Sequence, residues 1–383
     1  MQLRLLTLLC VLTAALPADT GRKPNIIFIL GDDVGIGDIA CTGGDRYRTP
    51  HIDALAKGGT VYRHAYAEPL CGPSRATILT GRYVFRTGAT NQDATGRFTP
   101  KAETMMPTVL KQAGYASTMV GKWGQLPLGP AEFGFDEHLR FTGSGSYWNS
   151  QDKAKTYVKN GERIKLGDKE YLPDVMHRNL VDFIARHRDR PFFAYYSMSH
   201  VHAEILPTPD SAPDSKDLYA DNIRYMDKLV GKLVAELERL KLRERTLLVF
   251  MGDNGTGAKW AAKATIGGRQ LSGQKGSMLE CGALVPFIVN WPGVTPAGKV
   301  LPDLVNFTDM HATFLDLAGI APPSGFTFDS RSIAPQLRGE RGNPRPWLYS
   351  WYSPRQNADL SAREFAYTAR HKLYRTGEFY DLT

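Results

Sequence analysis

Two stretches of the chain, Asn25–Leu30 and Thr246–Met251, are nearly unbroken apolar runs. Each ends in glycine followed by acid: Gly31-Asp32-Asp33 in one, Gly252-Asp253-Asn254 in the other. A strand with one wet face alternates apolar and polar residues, whereas a continuous run implies burial on both faces. Such strands need helices above and below them, which favours a mainly parallel sheet. The rest of the chain fits that demand. Tyr115–Val120, Phe192–Met198 and Leu284–Asn290 read as further strands. Thr49-Pro50 opens a helix that Gly58-Gly59 closes, and Pro73–Thr80 is a helix closed by Gly81. Pro107–Ala113 and a segment from Thr308 to near Gly319 add two more. The longest helix spans Leu218–Leu240, with an apolar stripe of Met226, Leu229, Val230, Leu233, Leu237 and Leu240 facing the core. The expected fold class is α/β. The main body covers 23–338. Gly- and Pro-rich residues 339–346 form a linker, and 346–383 is expected to be a small C-terminal β-hairpin appendage, either whole or truncated.

The 383 residues are 42% apolar and carry a formal charge of +8. That charge favours anionic partners or simply aids solubility. No basic run is interleaved with aromatic residues, which argues against a nucleic-acid surface. Residues 1–18 have a basic start, an apolar stretch from Leu5 to Leu16 and small residues up to Ala18, the pattern of a secretion signal. No later segment is long and apolar enough for a stable membrane span. Once Cys10 leaves with the signal, Cys41, Cys71 and Cys281 remain, an odd number that argues against a disulfide framework.

Polar residues follow several of the strands: Asp32 and Asp33, Lys122, His200 and His202, and Asp253 with Asn254. Ligands of open α/β sheets bind beyond the carboxyl ends of strands, so these side chains are expected to converge. The acids and Asn254 are hard oxygen donors suited to Ca²⁺ or Mg²⁺. Turn chemistry explains either pair alone about equally well. Cys71 lies just before a helix that Pro73 can begin, in Cys71-Gly72-Pro73-Ser74-Arg75. A helix N-terminus favours anions and lowers a thiol pKa, which makes Cys71 a candidate nucleophile with Arg75 as an oxyanion clamp. A small buried hydrophobe is the competing reading. Tyr147 and Trp148 either stack on a sugar ring or pack into the core.

At these residues the chain resembles the sulfatase family of the alkaline phosphatase superfamily. Cys71–Arg75 with Ala76–Arg82 is similar to its C-x-P-S-R…T-G-R signature. Asn25–Asp33, Gly121-Lys122-Trp123, Met251–Gly255 and Gly273–Pro286 resemble its metal and lysine segments, and Pro207-Thr208-Pro209 fixes the histidine segment. The resemblance implies an alkaline-phosphatase-like fold and hydrolysis of sulfate esters of carbohydrates or aryl alcohols. It also implies conversion of Cys71 to formylglycine (3-oxoalanine) by a maturation enzyme. One hydroxyl of the hydrated aldehyde would attack sulfur, and the other would help expel sulfate. Asp32, Asp33, Cys71, Asp253 and Asn254 would hold the cation, with calcium favoured over magnesium. Arg75 would support the modified residue, and Lys122 and Lys275 would neutralise transition-state charge. His202 would assist the leaving alcohol. The expected setting is secreted or periplasmic.

The chain departs from the family at Gly124, where a histidine is usual, and at Leu284, where arginine is frequent. Gly124 leaves His200 as a substitute for the missing base. It also keeps open a slow enzyme or a non-catalytic sulfoglycan-binding protein. A phosphodiester or phosphonate hydrolase of the same superfamily is the other alternative.

Overall fold

The computed structural model describes residues 22–90, 98–124, 126–141, 143–149, 155–353 and 363–382. The signal at 1–18 lies outside the described residues. The main body is one ten-stranded sheet. In chain order its strands are β1 (Asn25–Gly31), β2 (Thr60–Tyr66), β3 (Ala116–Lys122), β4 (Glu137–Phe141), β5 (Thr156–Lys159), β6 (Glu162–Lys165), β7 (Phe192–Ser197) and β8 (Thr246–Gly252). A short ribbon, β9 (Thr265–Ile266) and β10 (Arg269–Gln270), stands apart from it, and β11 (Phe287–Asn290) and β12 (Lys299–Asn306) complete it. The spatial order is β12-β2-β11-β8-β1-β7-β3-β4-β5-β6. From β8 through β1, β7 and β3 to β4 every pairing is parallel. β11 runs against both its neighbours, which leaves β2 and β12 pointing the same way as β8. The expected mainly parallel α/β sheet is therefore present, with antiparallel members at β11 and β5.

β1 shows why the sheet is covered on both faces. Ile26, Phe28 and Leu30 point into one core, with the helices Cys71–Thr80, Met106–Gln112 and Asp309–Leu317. Ile27 and Ile29 point into the other, with Pro50–Lys57, Leu172–Arg186 and Leu218–Arg239. Successive strand residues alternate faces, so an unbroken apolar run is what a two-sided core requires. The stripe of the long helix is buried from Met226 to Leu237, and Leu240 is half-buried at its end. Among the described residues no helix is long and apolar enough to cross a membrane, and Cys41, Cys71 and Cys281 are free thiols.

The C-terminal part is more than a hairpin. β13 (Leu348–Tyr352), β14 (Arg363–Tyr367), β15 (His371–Tyr374) and β16 (Phe379–Asp381) form a four-stranded antiparallel meander. Short strands that mix charge and aromatics give a weak alternation signal, which is why the sequence shows only a hairpin here. The sheet packs Leu348, Tyr352, Phe365 and Tyr367 on Tyr66 and Leu70, next to the Cys71 helix. The glycine- and proline-rich stretch before it is tied down: Arg345 meets Asp309 in a buried ion pair.

A buried acid joins the two sheets. Glu68 accepts a 2.7 Å hydrogen bond from Ser350 on β13, and its main chain exchanges two 3.0 Å bonds with Ser74 on the Cys71 helix. Burial pushes its carboxyl up to about 8, against the smaller pull of Ser350. A folded-state pKa raised in this way contributes stability that is complete below the ordinary carboxyl range. That contribution is lost as pH rises through the folded value. Asp38, which burial pushes up to about 6, loses its share at lower pH. From about pH 6.5 to about pH 9 the native melting temperature should therefore fall more steeply than that of Glu68→Gln. Equal slopes in a thermal-melt series would show that Glu68 does not carry this proton.

Candidate active site

Because β1, β3, β7 and β8 run parallel, their carboxyl ends open on one edge of the sheet. Asp32 and Asp33 leave β1, Asp253 and Asn254 leave β8, and Lys122 is the last residue of β3. Main-chain bonds carry the pairing past the strand ends: Asp253 N donates to Gly31 O at 2.9 Å, and Asp32 N to His200 O at 2.7 Å. Asp33 holds φ of 61°, a left-handed turn that aspartate tolerates better than most residues. Behind the turn, Asp38 accepts from Gly35 N at 2.9 Å and from Thr256 Oγ1 at 2.6 Å, bracing the two acid-bearing loops together.

Asp32, Asp33 and Asp253 each have their own cation. Lys122 Nζ lies 2.6 Å from Asp32 Oδ1, with both residues fully buried. Arg75 Nη2 lies 2.8 Å from Asp253 Oδ2, and its Nη1 donates to Lys122 O at 2.9 Å and to Ser197 Oγ. Lys275 Nζ lies 2.6 Å from Asp33 Oδ1 and is partly open to solvent. Burial pushes the Asp32 carboxyl up, against the pull of Lys122. It would do the same to Asp253, but Arg75, Lys122 and Lys275 bring that carboxyl down to about 2. Burial also works against the charge of Lys275, yet Cys71, Asp33, Asp32 and Asp253 hold it above the ordinary lysine range.

Cys71 is not just ahead of the helix but its first residue, after Leu70. Its Sγ is 3.4 Å from Lys122 Nζ. The helix-terminus argument predicts a lowered thiol pKa. Burial instead raises it and outweighs Lys122 and Lys275. A fully buried neutral thiol is a poor nucleophile.

Asp32, Asp33, Cys71 and Asp253 bring ligand atoms within 4.8 Å of one another, close enough to share a metal ion. Opposite ligands of a Ca²⁺ ion stand about 5 Å apart, so the spacing fits. Two further observations point the same way. Asp32 Oδ2 and Asn254 Oδ1 are buried without a hydrogen-bond partner, although such atoms are normally satisfied. Asn254 Nδ2 donates to Asp33 Oδ1 at 2.9 Å, which links Asn254 to the same group.

His202 is partly exposed, with Nε2 3.8 Å from Asp33 Oδ2 and Nδ1 2.5 Å from Ala203 O. His200 goes elsewhere. Its ring is fully buried, bonds Tyr171 OH at 2.9 Å and packs among Tyr147, Tyr171 and Tyr225. Burial alone lowers it to about 3, so it stays neutral. The main chain of His200, not its imidazole, meets Asp32. Tyr147 is also buried and donates to Ser199 O and His202 O at 2.9 and 3.0 Å. Trp148 packs on Tyr171 and donates to Pro207 O at 2.7 Å. Both therefore hold the histidine loop, with Tyr147 closed to any sugar. Gly124 has φ of 78°, and a Cβ there would stand 3.1 Å from Arg75 Cδ. A side chain at this position is strained and presses on the arginine. Leu284 bridges to Tyr66 and joins the core under the C-terminal sheet.

Comparison with known proteins settles the family. A family model described as Sulfatase matches residues 24–320. The chain belongs to the sulfatase family. It is thus an enzyme, a sulfatase, and a second model, the C-terminal part of N-sulphoglucosamine sulphohydrolase, matches 273–383. It is similar to the N-acetylgalactosamine-6-sulfatase of Canis lupus familiaris, 33% identical over 89% of this chain and 72% of the relative. Human arylsulfatase D is 29% identical over 88% and 72%. Among solved structures, Ps i-CgsB in complex with k-i-k-neocarrahexaose superposes with a TM-score of 0.79 at 27% identity, covering 94% of this chain and 85% of that one. A sulfatase from Pseudoalteromonas sp. gives 0.80 at 26% identity, covering 96% and 83%.

Sequence reasoning missed Glu68, Asp38 and Ser197, each a lone polar residue in or beside an apolar stretch with no motif around it. Arg75 was found by its motif, and its pairing gives a test. Arg75→Met leaves Asp253 and Ser197 facing an apolar stem, and the protein should lose about 3 kcal/mol or more in chemical denaturation with chelator present. A loss below about 1 kcal/mol, the scale of an exposed pair, would mean the pair is not desolvated as described.

Proposed function

We propose that this sulfatase hydrolyses sulfate esters of carbohydrates through a formylglycine made from Cys71, with a divalent cation held by Asp32, Asp33, Asp253 and Asn254. The observation that carries the proposal is the mismatch of donors. Three buried carboxylates and an orphaned amide oxygen are hard ligands for calcium or magnesium, whereas a thiol is soft. Conversion of Cys71 to formylglycine removes the sulfur and makes the ligand set all oxygen. It also replaces a thiol that burial keeps neutral. A formylglycine at position 71 would supply an oxygen nucleophile, and a cation held by these residues would supply polarisation of the sulfate oxygens.

The protein's own residues do the rest. Three cations already match the three carboxylates, so a divalent ion leaves positive charge in surplus, which suits a sulfate ester. Arg75 fixes the orientation of Asp253 and, through Lys122 O, the end of β3. Lys122 and Lys275 flank Cys71 and face the charge that develops on sulfate oxygens. His202 has Nδ1 occupied by Ala203 O, which leaves Nε2 to pass a proton to the departing alcohol. The sugar assignment draws on the names of the relatives, N-acetylgalactosamine-6-sulfatase among them, and on the bound neocarrahexaose of a structural neighbour. The net charge of +8 suits a polyanionic chain. The basic, apolar start at 1–18 supports a secreted or periplasmic enzyme served by a formylglycine-generating maturation enzyme.

Calcium should raise the melting temperature of the chelated protein, by an amount equivalent to about 2.7 kcal/mol at a hundredfold excess over its dissociation constant. Asp32→Asn should lose most of that shift, and an unchanged shift would place the ion elsewhere. For the reaction itself, the Cys71 peptide from protein made with its maturation enzyme should carry the formylglycine mass. The same preparation should release sulfate from a sulfated N-acetylgalactosamine faster than phosphate from the matched phosphate ester. An unmodified cysteine alongside full activity, or a preference for phosphate, would overturn the proposal.

A further inference from the structure

Lys275 reaches the site from a loop, residues 271–279, that belongs to no helix or strand. At its middle the loop's main chain is tied to the main body: Lys275 N donates to Thr256 O at 3.0 Å, and Gly276 N to Pro69 O at 2.8 Å. Three more come from the C-terminal sheet. Tyr352 OH donates to Gly276 O at 2.9 Å, Tyr374 OH to Met278 O at 3.2 Å, and Lys372 Nζ to Met278 O at 2.6 Å. Lys372 stands out among them because it is a buried cation, 3% exposed. Its ammonium lies 4.2 Å from the Phe365 ring centre, 5.5 Å from Tyr367 and 5.4 Å from Tyr374. Glu280 Oε2 is 3.6 Å away, and the other oxygen of that carboxylate accepts from Tyr66 OH.

Burying an ammonium is costly, and exposed lysine is the ordinary arrangement. Aromatic faces stabilise the charge without taking its protons, which leaves those protons for a directed bond. That bond goes to a carbonyl three residues beyond Lys275, not to a neighbour in the sheet. The loop's glycines need this help, since Gly273 and Gly276 sit at φ of 100° and 78° and stiffen nothing themselves.

We propose that Lys372, with Tyr352 and Tyr374, is a positioning residue that holds the Lys275 loop and thereby fixes the Lys275 ammonium against Asp33. The proposal rests on the reading of Lys275 as a group that meets the sulfate. The C-terminal sheet then takes part in the reaction although none of these three residues touches the bonds that change.

The test is a double-mutant cycle on sulfate release, using enzyme matched for formylglycine content by peptide mass. Lys372→Met keeps the apolar stem and removes the donor. It should lower kcat about tenfold or more with a smaller change in KM, as a displaced catalytic group does. In a Lys275→Ala background the same change should cost less than about twofold, because the group it positions is gone. Tyr352→Phe, which deletes one hydroxyl bonded to Gly276 O, carries the same test should Lys372→Met fail to fold. It should show a smaller loss with the same dependence on Lys275. An equal loss in both backgrounds would overturn the positioning role and leave the assignment of Lys275 intact. A Lys275→Ala enzyme with native kcat would overturn both at once.

Discussion

Three desolvated carboxylates, each paired with its own cation, are the constraint around which this protein is arranged. A lone buried charge would protonate, deprotonate or unfold its surroundings. Asp32 with Lys122, Asp33 with Lys275 and Asp253 with Arg75 avoid that outcome only because each partner arrives from a different element. β1 and β8 bring the acids side by side, β3 brings Lys122, the Cys71 helix brings Arg75 and a loop brings Lys275. No segment of the chain can form these pairs alone, so the central sheet has to be in place before any of them exists. The doubly buried apolar runs supply that sheet, with their register continued into the acid pairs by bonds such as Asp253 N to Gly31 O.

The same burial decides the chemistry available to Cys71. At the surface, a helix start and two lysines would favour a thiolate. Here desolvation outweighs them and the thiol stays protonated. The arrangement suits an oxygen at this position far better than a sulfur, given the hard donors around it. Neighbouring His200 follows the same rule: buried among tyrosines, it is neutral and structural, whereas His202, two residues on and partly exposed, keeps a ring nitrogen turned to the site.

Much of this was legible in the sequence because the sheet and the site share one signal. Apolar runs that stop at Gly-Asp mark both the buried strands and the acids beyond them, and Cys71–Arg75 is a compact motif. What escaped notice depends on contacts between distant segments. Glu68 and Asp38 are lone acids whose partners, Ser350 and Thr256, are hundreds of residues away. The sequence made His200 a substitute base, but its direction is set by Tyr171, which no local pattern reveals. Gly124 reads as a missing histidine in the sequence, whereas its left-handed backbone against Arg75 shows that glycine suits the geometry. The meander at β13–β16 was reduced to a hairpin because short aromatic strands barely alternate.

The two lysines of the candidate site show how differently one site can be built. Lys122 ends a strand flanked on both sides in the sheet, and the main chain before it has no room to move: a Cβ on Gly121 would lie 1.8 Å from Ser197 O. Its ammonium is fixed by the same packing that stabilises the fold. Lys275 has no such support from the main sheet, since its loop lacks regular structure and contains two left-handed glycines. A loop can be shaped to a substrate more readily than a central strand, because its residues are not all committed to packing. That freedom has to be limited near the reacting atoms, where small displacements are costly. The four-stranded sheet answers both needs, gripping Gly276 and Met278 by their carbonyls, through bonds that do not depend on which side chains those residues carry. On this argument the C-terminal sheet is part of the active-site scaffold, and the border between the two sheets runs through the site, not beside it.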